Sequence, residues 1–366
     1  VNYDRVRPVP VILLGPGKVG RSLLDRILRR RDVLAQKDGL RLDLVAVDDG
    51  SACVLADEGR PLDAARLRAI CDAKSDGRPL RGLFGAGPSG AWRSPDRLRG
   101  YSVRPIVVDS SAAENSAALL EARALGWRLV LANKSPLCGS LGSFRLLTAP
   151  GAAWEATVAA ALPVVAVLTQ LLAADDPPLQ IRACVSGTLG FVASRLAEGV
   201  PLSHIVVEAD ALGYVEPDPR ADLSGMDSAR KALILARMMG LELDLDAVAV
   251  EGLYPAEWDG LSARDFLDRL PAQDAGLSGR AAAVAMSGRV LRYVITIEEG
   301  QVRAGLEDLA PTDALARAPA SDSIVVMRSK VFDAQPLVLS GRGGGPAGTA
   351  SCVYGDLVAL ARELRR

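Results

Sequence analysis

Asp227 and Lys231 stand four positions apart in "GYVEPDPRADLSGMDSARKALILAR", so on a helix they share one face, which Ile234, Leu235 and Met238 continue as an apolar stripe. A surface ion pair at that spacing contributes about 0.5 kcal/mol or less. The apolar continuation argues that the pair points inward, where burial disfavours a lysine's charged form and an adjacent carboxylate partly restores it. A lysine so balanced exchanges a proton near neutral pH. Upstream, Glu216 and Asp222 lie in a proline-broken loop that could aim carboxylates into the same cleft, suited to a substrate ammonium. By spacing alone, an ordinary solvated acidic loop is an equal reading.

A second set lies near the start. "VPVILLGPGKVGRSLLDRIL" is an apolar run, a glycine turn, and then Val19, Leu23, Leu24, Ile27 and Leu28 at helical spacing. Gly15, Gly17 and Gly20 fit GxGxxG, with Pro16, Lys18 and Val19 completing the turn. Backbone amides at such a helix start can face a pyrophosphate. The plain alternative is a tight strand-to-helix turn, but the strand-turn-helix context favours a dinucleotide. The next strand ends on Asp48 and Asp49, further on than the usual spacing, which the insertion "RRRDVLAQKDGLR" explains. A carboxylate there accepts from a ribose 2′-hydroxyl and repels a 2′-phosphate. Gly50, Ser51 and Ala52 follow with no arginine, so NAD is favoured over NADP, although Lys18 and Arg21 could reach a phosphate.

The elements that must position these groups are legible in outline. "LDLVAVDD", "RPIVVDSS" and "WRLVLANK" are short apolar runs ending in polar clusters, as strands of a parallel sheet buried on both faces do. Beyond residue 150 the pattern changes: an apolar stretch 156–174, an apparent strand "LQIRACVSG", a hairpin around "EEGQ", then strands "SIVVMRSKVF" and "PLVLSG". "GAGPSGAWRSPDRLRG" reads as a loop, and the chain finishes in an amphipathic helix. The expected class is α/β: a Rossmann-type parallel-sheet nucleotide-binding domain (1–150 with 340–366) and an α+β substrate-binding and dimerisation domain with a mixed sheet (151–339).

Composition narrows the chemistry. The 366 residues are 49% apolar with a formal net charge of -1, giving no basic excess for nucleic acid or an anionic membrane. The stretch 156–174 is uncharged, but Pro163, Thr169 and Gln170 interrupt it, so a buried helix is expected in place of a membrane span. Five scattered cysteines without a CxxC pair read as reduced thiols in a cytoplasmic setting. His204, the sole histidine, leaves little material for a histidine-based triad or metal site and reads as structural. The visible start has no signal-peptide pattern, and Val1 leaves a preceding segment open.

The acidic segment resembles, nearly position for position, the substrate-site segment of homoserine dehydrogenases. "ANKSPLCG", "WEATVAAALPVV", "SGTLGF", "GRVLRYV" and the glycine-rich end are also similar to segments of that family, so the resemblance covers essentially the whole chain. It implies reversible hydride transfer between a nicotinamide and C4 of L-aspartate 4-semialdehyde or L-homoserine, a step of threonine, methionine and isoleucine biosynthesis. It further implies that Glu216 and Asp222 hold the substrate amino group, with Tyr214, Gly187 and Thr188 nearby. Lys231 with Asp227 would handle the hydroxyl proton, and Lys134 would sit against substrate and nicotinamide, with either lysine able to be the acid. Glu155 and the carbonyls of Val158, Ala160 and Leu162 would form a sodium or potassium site. Ser110 and Ser111 match the nicotinamide-ribose turn, and Gly343, Gly344 and Gly345 would approach the cofactor. A homodimer is implied, without a kinase or an appended regulatory domain.

The chain departs from that pattern at Ala159 and Ala161, where the family usually has glycines, and at Gly190 and Phe191, where a polar residue and a tyrosine are common. Two rivals follow. A phosphorylating semialdehyde dehydrogenase would need a thioester-forming cysteine with a base, and Cys138 and Cys184 have one histidine between them. A nucleotide-binding homologue with lost or altered catalysis, acting as a regulatory or scaffold protein, would have no physical reason to keep a buried lysine.

Overall fold

The computed structural model describes residues 6–57, 60–93, 101–215, 218–317, 319 and 322–364. The chain divides into two compact units, 1–161 with 345–366 and 162–344.

The first unit is a six-stranded sheet of β1 (Arg7–Leu14), β2 (Leu40–Asp48), β3 (Cys53–Leu55), β4 (Ile106–Asp109), β5 (Arg128–Leu131) and β6 (Ala152–Ala153), in the order β3-β2-β1-β4-β5-β6. All neighbours are parallel except β2 and β3, as the apolar runs predict. Helices α1 (Lys18–Asp38), α2 (Ala64–Ser75), α3 (Ser116–Ala124) and α4 (Leu141–Leu147) connect the strands. The late position of Asp48 has a simple cause: α1 runs for 21 residues before Gly39, at φ 62, caps it by donating to the Ala35 carbonyl. The last helix, Pro346–Glu363, returns to this unit and packs on α1, β4 and β5, burying Val353, Leu357 and Leu360.

The second unit holds α5 (Val164–Ala173), β7 (Gln180–Cys184), α6 (Gly187–Ala197), α7 (Leu202–Ala211), α8 (Arg220–Leu223), α9 (Met226–Met238), β8 (Ala249–Val250), α10 (Ala263–Arg269), α11 (Asp274–Met286), β9 (Val290–Glu298), β10 (Gln301–Leu309), α12 (Ala314–Arg317), β11 (Ser323–Arg328) and β12 (Leu337–Gly341). Its sheet runs β12-β11-β7-β9-β10-β8, antiparallel except for β8 on β10. The hairpin expected at "EEGQ" is β9–β10, turning at Glu299 (φ 50) and Gly300 (φ 76), the paired left-handed conformation of a two-residue hairpin loop. Helices α6, α9 and α11 pack on β9, and α9 also on β10.

One expectation is revised. The apolar stretch 156–174 is not one buried helix: Pro163, which cannot donate to a preceding turn, marks the start of the ten-residue α5, and Ala166, Thr169 and Gln170 on α5 are exposed. Among the described residues no helix is long and apolar enough to cross a membrane. His204, read as structural, is exposed on α7.

Candidate active site

In the first unit the three glycines of the turn do different work. Gly15 has φ 81, and a Cβ on it would lie 2.5 Å from the backbone of Ser111. A Cβ on Gly20 would lie 2.4 Å from the Gly15 carbonyl oxygen. Gly17 has no neighbour within 4 Å of such a position, so its missing side chain leaves open space where the helix begins. Two glycines thus allow the chain to cross itself, and the third allows something else to approach. Pro16 is buried within the turn, Lys18 is exposed and Val19 is half-buried. Ser110 braces the turn: its amide donates to the Leu14 carbonyl at 2.9 Å and its hydroxyl to the Gly15 carbonyl at 2.8 Å.

Beside the turn opens a cleft of about 150 Å³, lined among others by Gly15, Asp48, Asp49, Ser111, Asn115 and Trp92. Asp48 ends β2 at 4% exposure and accepts from the Gly50 amide (2.7 Å), the Ser89 hydroxyl (3.0 Å) and the Gly90 amide (2.7 Å). Asp49 pairs with Lys74 at 2.7 Å. Burial pushes its carboxyl upward, but Lys74, Ser51 and the Leu80 amide outweigh that and hold it at about 2. Arg93 reaches the same cleft, yet its guanidinium pairs with Glu121 at 3.0 Å and donates to the Gly90 carbonyl at 3.3 Å. Lys134 precedes the 3-10 turn Ser135–Cys138, and Gly345, at φ 96, precedes the last helix.

Three of the four expected cation ligands lie in this unit. Glu155 opens a 3-10 turn, and its amide donates to Asp356 Oδ2 at 3.1 Å. Burial, and then the charge of Glu155, push the Asp356 carboxyl up to about 7, so two carboxyl groups crowd this spot. Val158 is buried, and Ala160 takes φ 51, unusual for alanine, between the two alanines that stand for glycines. Leu162 opens the second unit, where its carbonyl accepts from the Val164 amide at 2.9 Å.

In the second unit the charged segment separates by task. Lys231 on α9 pairs with Asp227 at 2.6 Å, and their side chains are 12% and 34% exposed, so the lysine points inward as its spacing predicts. Its Nζ also donates to the Val185 carbonyl at 2.7 Å, which ties α9 to the turn between β7 and α6. In that turn Ser186 caps α6 by accepting from the Leu189 amide, and Gly187 and Thr188 begin the helix. The Thr188 hydroxyl donates to the Tyr214 carbonyl at 2.7 Å, and Phe191 meets the Tyr214 ring edge-on at 5.3 Å. Lys231, Asp227, Gly187, Thr188 and Tyr214 are therefore linked through β7, α6 and α9. Asp222 lies half-buried on α8, which packs against α6 and α9. Glu216 lies outside the described residues. Asp218 and Arg220 form a brace: they pair at 2.6 Å, and Arg220 donates to the carbonyls of Asp259 (2.9 Å) and Leu261 (2.6 Å).

The family model described as homoserine dehydrogenase matches residues 163–358, more than half of the chain. This chain belongs to the homoserine dehydrogenase family. A homoserine dehydrogenase of Paracoccidioides brasiliensis is 35% identical over 299 residues, covering 75% of this chain and 80% of that protein. The bifunctional aspartokinase/homoserine dehydrogenase of Haemophilus influenzae is 33% identical over 365 residues, covering 97% of this chain and 43% of the relative. The chain thus spans about two fifths of the length of that bifunctional relative. A hyperthermophilic archaeal homoserine dehydrogenase solved in complex with NADPH has a TM-score of 0.70 at 24% identity, covering 98% of each chain.

Sequence reasoning missed Ser89 and Gly90, which reach Asp48 from a segment read as a loop, and Val185, whose contact is through a carbonyl that any residue carries. It also passed over Asp109, Asn115 and Asn133. For Asp109 a signal existed: it ends a parallel strand at the edge where α/β sheets bind their ligands.

Proposed function

We propose that this protein is a homoserine dehydrogenase, reversibly reducing L-aspartate 4-semialdehyde to L-homoserine with a nicotinamide dinucleotide. The observation that carries the reading is the Asp227–Lys231 pair anchored on the Val185 carbonyl beside Gly187 and Thr188, in a family of that activity. When bound, the dinucleotide supplies or takes the hydride at C4. Lys231 gives a proton to the oxygen that becomes the hydroxyl, and Asp227 and the Val185 carbonyl hold its ammonium in place. Lys134 is the second candidate for that proton. Glu216 and Asp222 supply counter-charge for the substrate ammonium, with Tyr214, Thr188 and Gly187 shaping the pocket.

The open space at Gly17 and the cleft beside Gly15 fit a dinucleotide. Gly15, Pro16, Gly17, Lys18, Val19 and Gly20 would hold the pyrophosphate; Asp48 would meet the adenosine ribose; Ser110, Ser111, Lys134 and Gly345 would serve the nicotinamide end. NAD is the preferred form in this reading, because two carboxylates line the cleft and the charge of Arg93 is matched by Glu121. A sodium or potassium ion suits the oxygen set of Glu155 with the carbonyls of Val158, Ala160 and Leu162, beside which the Asp356 carboxyl accepts from the Glu155 amide. The active form in this reading is a homodimer serving amino-acid biosynthesis.

The test is absorbance-followed formation of NADH and of NADPH from L-homoserine, for the parent protein and for Lys231→Ala. Turnover is expected with both and faster with NAD, and the variant should lose at least a hundredfold in kcat. A parent inert with either dinucleotide would return the protein to the regulatory or scaffold reading. A fully active variant would move the proton to Lys134.

A further inference from the structure

Strand β4 ends on Asp109, which the site described above leaves unused. Its side chain is fully buried, at 0% exposure, yet its two oxygens accept from three separate segments. Oδ1 accepts from the Ser111 amide at 3.0 Å and the Ser111 hydroxyl at 2.7 Å. Oδ2 accepts from the side-chain amides of Asn115 at 3.2 Å and Asn133 at 3.1 Å. The Asp109 carbonyl accepts from the amides of Ala132 (2.8 Å) and Asn133 (3.1 Å). Asn133 extends the bracket in both directions, donating to the Ala113 carbonyl at 2.7 Å and accepting from the Ser135 amide at 3.1 Å.

The four donors to the carboxylate, three side-chain groups and the Ser111 amide, are neutral, and burial pushes the Asp109 carboxyl above its ordinary value against them. A buried carboxylate held only by neutral groups is a costly way to close a strand end. What it does provide is reach: one residue joins the Ser110–Ser111 turn, the entry to α3 and the segment that leads into Lys134. Ser111 and Asn115 line the cleft, and Asp109 lies behind them.

We propose that Asp109 is the positioning residue of the cofactor cleft, fixing the Ser111 turn and the Asn133–Lys134 segment against each other without itself touching cofactor or substrate. The inference rests on the dinucleotide reading of the cleft. In Asp109→Asn one oxygen becomes an NH₂ that must face donors, so half of the bracket opens while the shape is kept. Asn133→Ala keeps the carboxylate and removes one arm.

The experiment is NADH titration and steady-state kinetics on the full chain, with a thermal melt of each variant. Asp109→Asn should weaken NADH binding about tenfold, equivalent to about 1.4 kcal/mol, and lower kcat, with KM for L-homoserine within twofold of the parent. Asn133→Ala should weaken NADH binding about threefold. A role confined to stability predicts the opposite split, a lower melting temperature with unchanged NADH affinity and kcat, and that result overturns the proposal. Should Asp109→Asn not fold, unchanged affinity and kcat in Asn133→Ala overturn it equally. A parent that binds neither NADH nor NADPH removes the dinucleotide reading and this inference with it, whereas a binding parent with unaffected variants removes this inference alone.

Discussion

Asp48 and Asp49 are consecutive carboxylates at one strand end, and their surroundings give them unrelated tasks. Both line the cleft, but Asp48 holds the Ser89–Gly90 segment, whereas the Asp49 side chain is bound to Lys74 and the Leu80 amide. The Asp49 carboxyl is lowered from 3.8 to about 2, which corresponds to a stabilisation of about 2 kcal/mol at neutral pH. Because its folded value lies below the ordinary one, that contribution is whole above about pH 4 and is lost as pH falls toward 2. Asp49→Asn should therefore lower stability by about 2 kcal/mol in urea melts at pH 7, and the gap to the parent should narrow between pH 5 and pH 3. A gap indifferent to pH would show that Lys74 contributes little. Sequence could name both aspartates but could not divide them, since Lys74 lies 25 positions away. Asp227 and Lys231 were legible because one helical turn contains the whole interaction. The division of the other charges into a structural brace at Asp218–Arg220 and a candidate ammonium site depends on contacts with residues 259–261, which no spacing rule reaches.

Helix α9 carries Asp227 and Lys231, the pair proposed to handle the proton, and its placement depends on Gly225. That residue has φ 76, and a Cβ on it would fall 2.1 Å from the Tyr293 hydroxyl and 2.9 Å from Val250 Cγ1. The Tyr293 hydroxyl is itself fixed, donating to the Glu251 carbonyl at 2.8 Å, so the helix start is pressed onto β8 and β9. Gly225→Ala should cost roughly 2 kcal/mol from the left-handed backbone and the clash together. It should also lower kcat more than tenfold by shifting Lys231 relative to the Val185 carbonyl; unchanged kcat in a destabilised variant would detach the helix start from the chemistry. Elements with strong local periodicity were legible: β1 with its glycine turn and α1, the β9–β10 hairpin and the last helix. The three-residue β3 was not, because it exists through partners: it returns on Ala46–Asp48 and bridges Cys53 to Gly87.

At the scale of the molecule, the second unit has a sheet with two unlike faces. Helices α6, α9 and α11 pack toward one, whereas the other carries short α12 and an ionic ladder in which Arg182 reaches Glu307 at 3.0 Å and Asp313 at 2.6 Å. Val326 and its cross-strand neighbour Val338, the latter 43% exposed, add an apolar strip beside that ladder. If this face joins two copies, light scattering will give twice the chain mass for the parent and the single-chain mass for Val338→Glu with an unchanged thermal melt; a monomeric parent would end the dimer proposal. The two units also differ in how they are strung. The second is one continuous stretch, 162–344, whereas the first closes only with 345–366, the segment that covers α1, β4 and β5. During synthesis the glycine turn therefore leaves the ribosome before 162–344, and the part of the first sheet that 345–366 covers stays open while the second unit emerges and can fold as a block. A chain cut near residue 345 would keep a closed second unit and an incomplete first one, so the stretch 345–366 decides whether the first unit is exposed to aggregation.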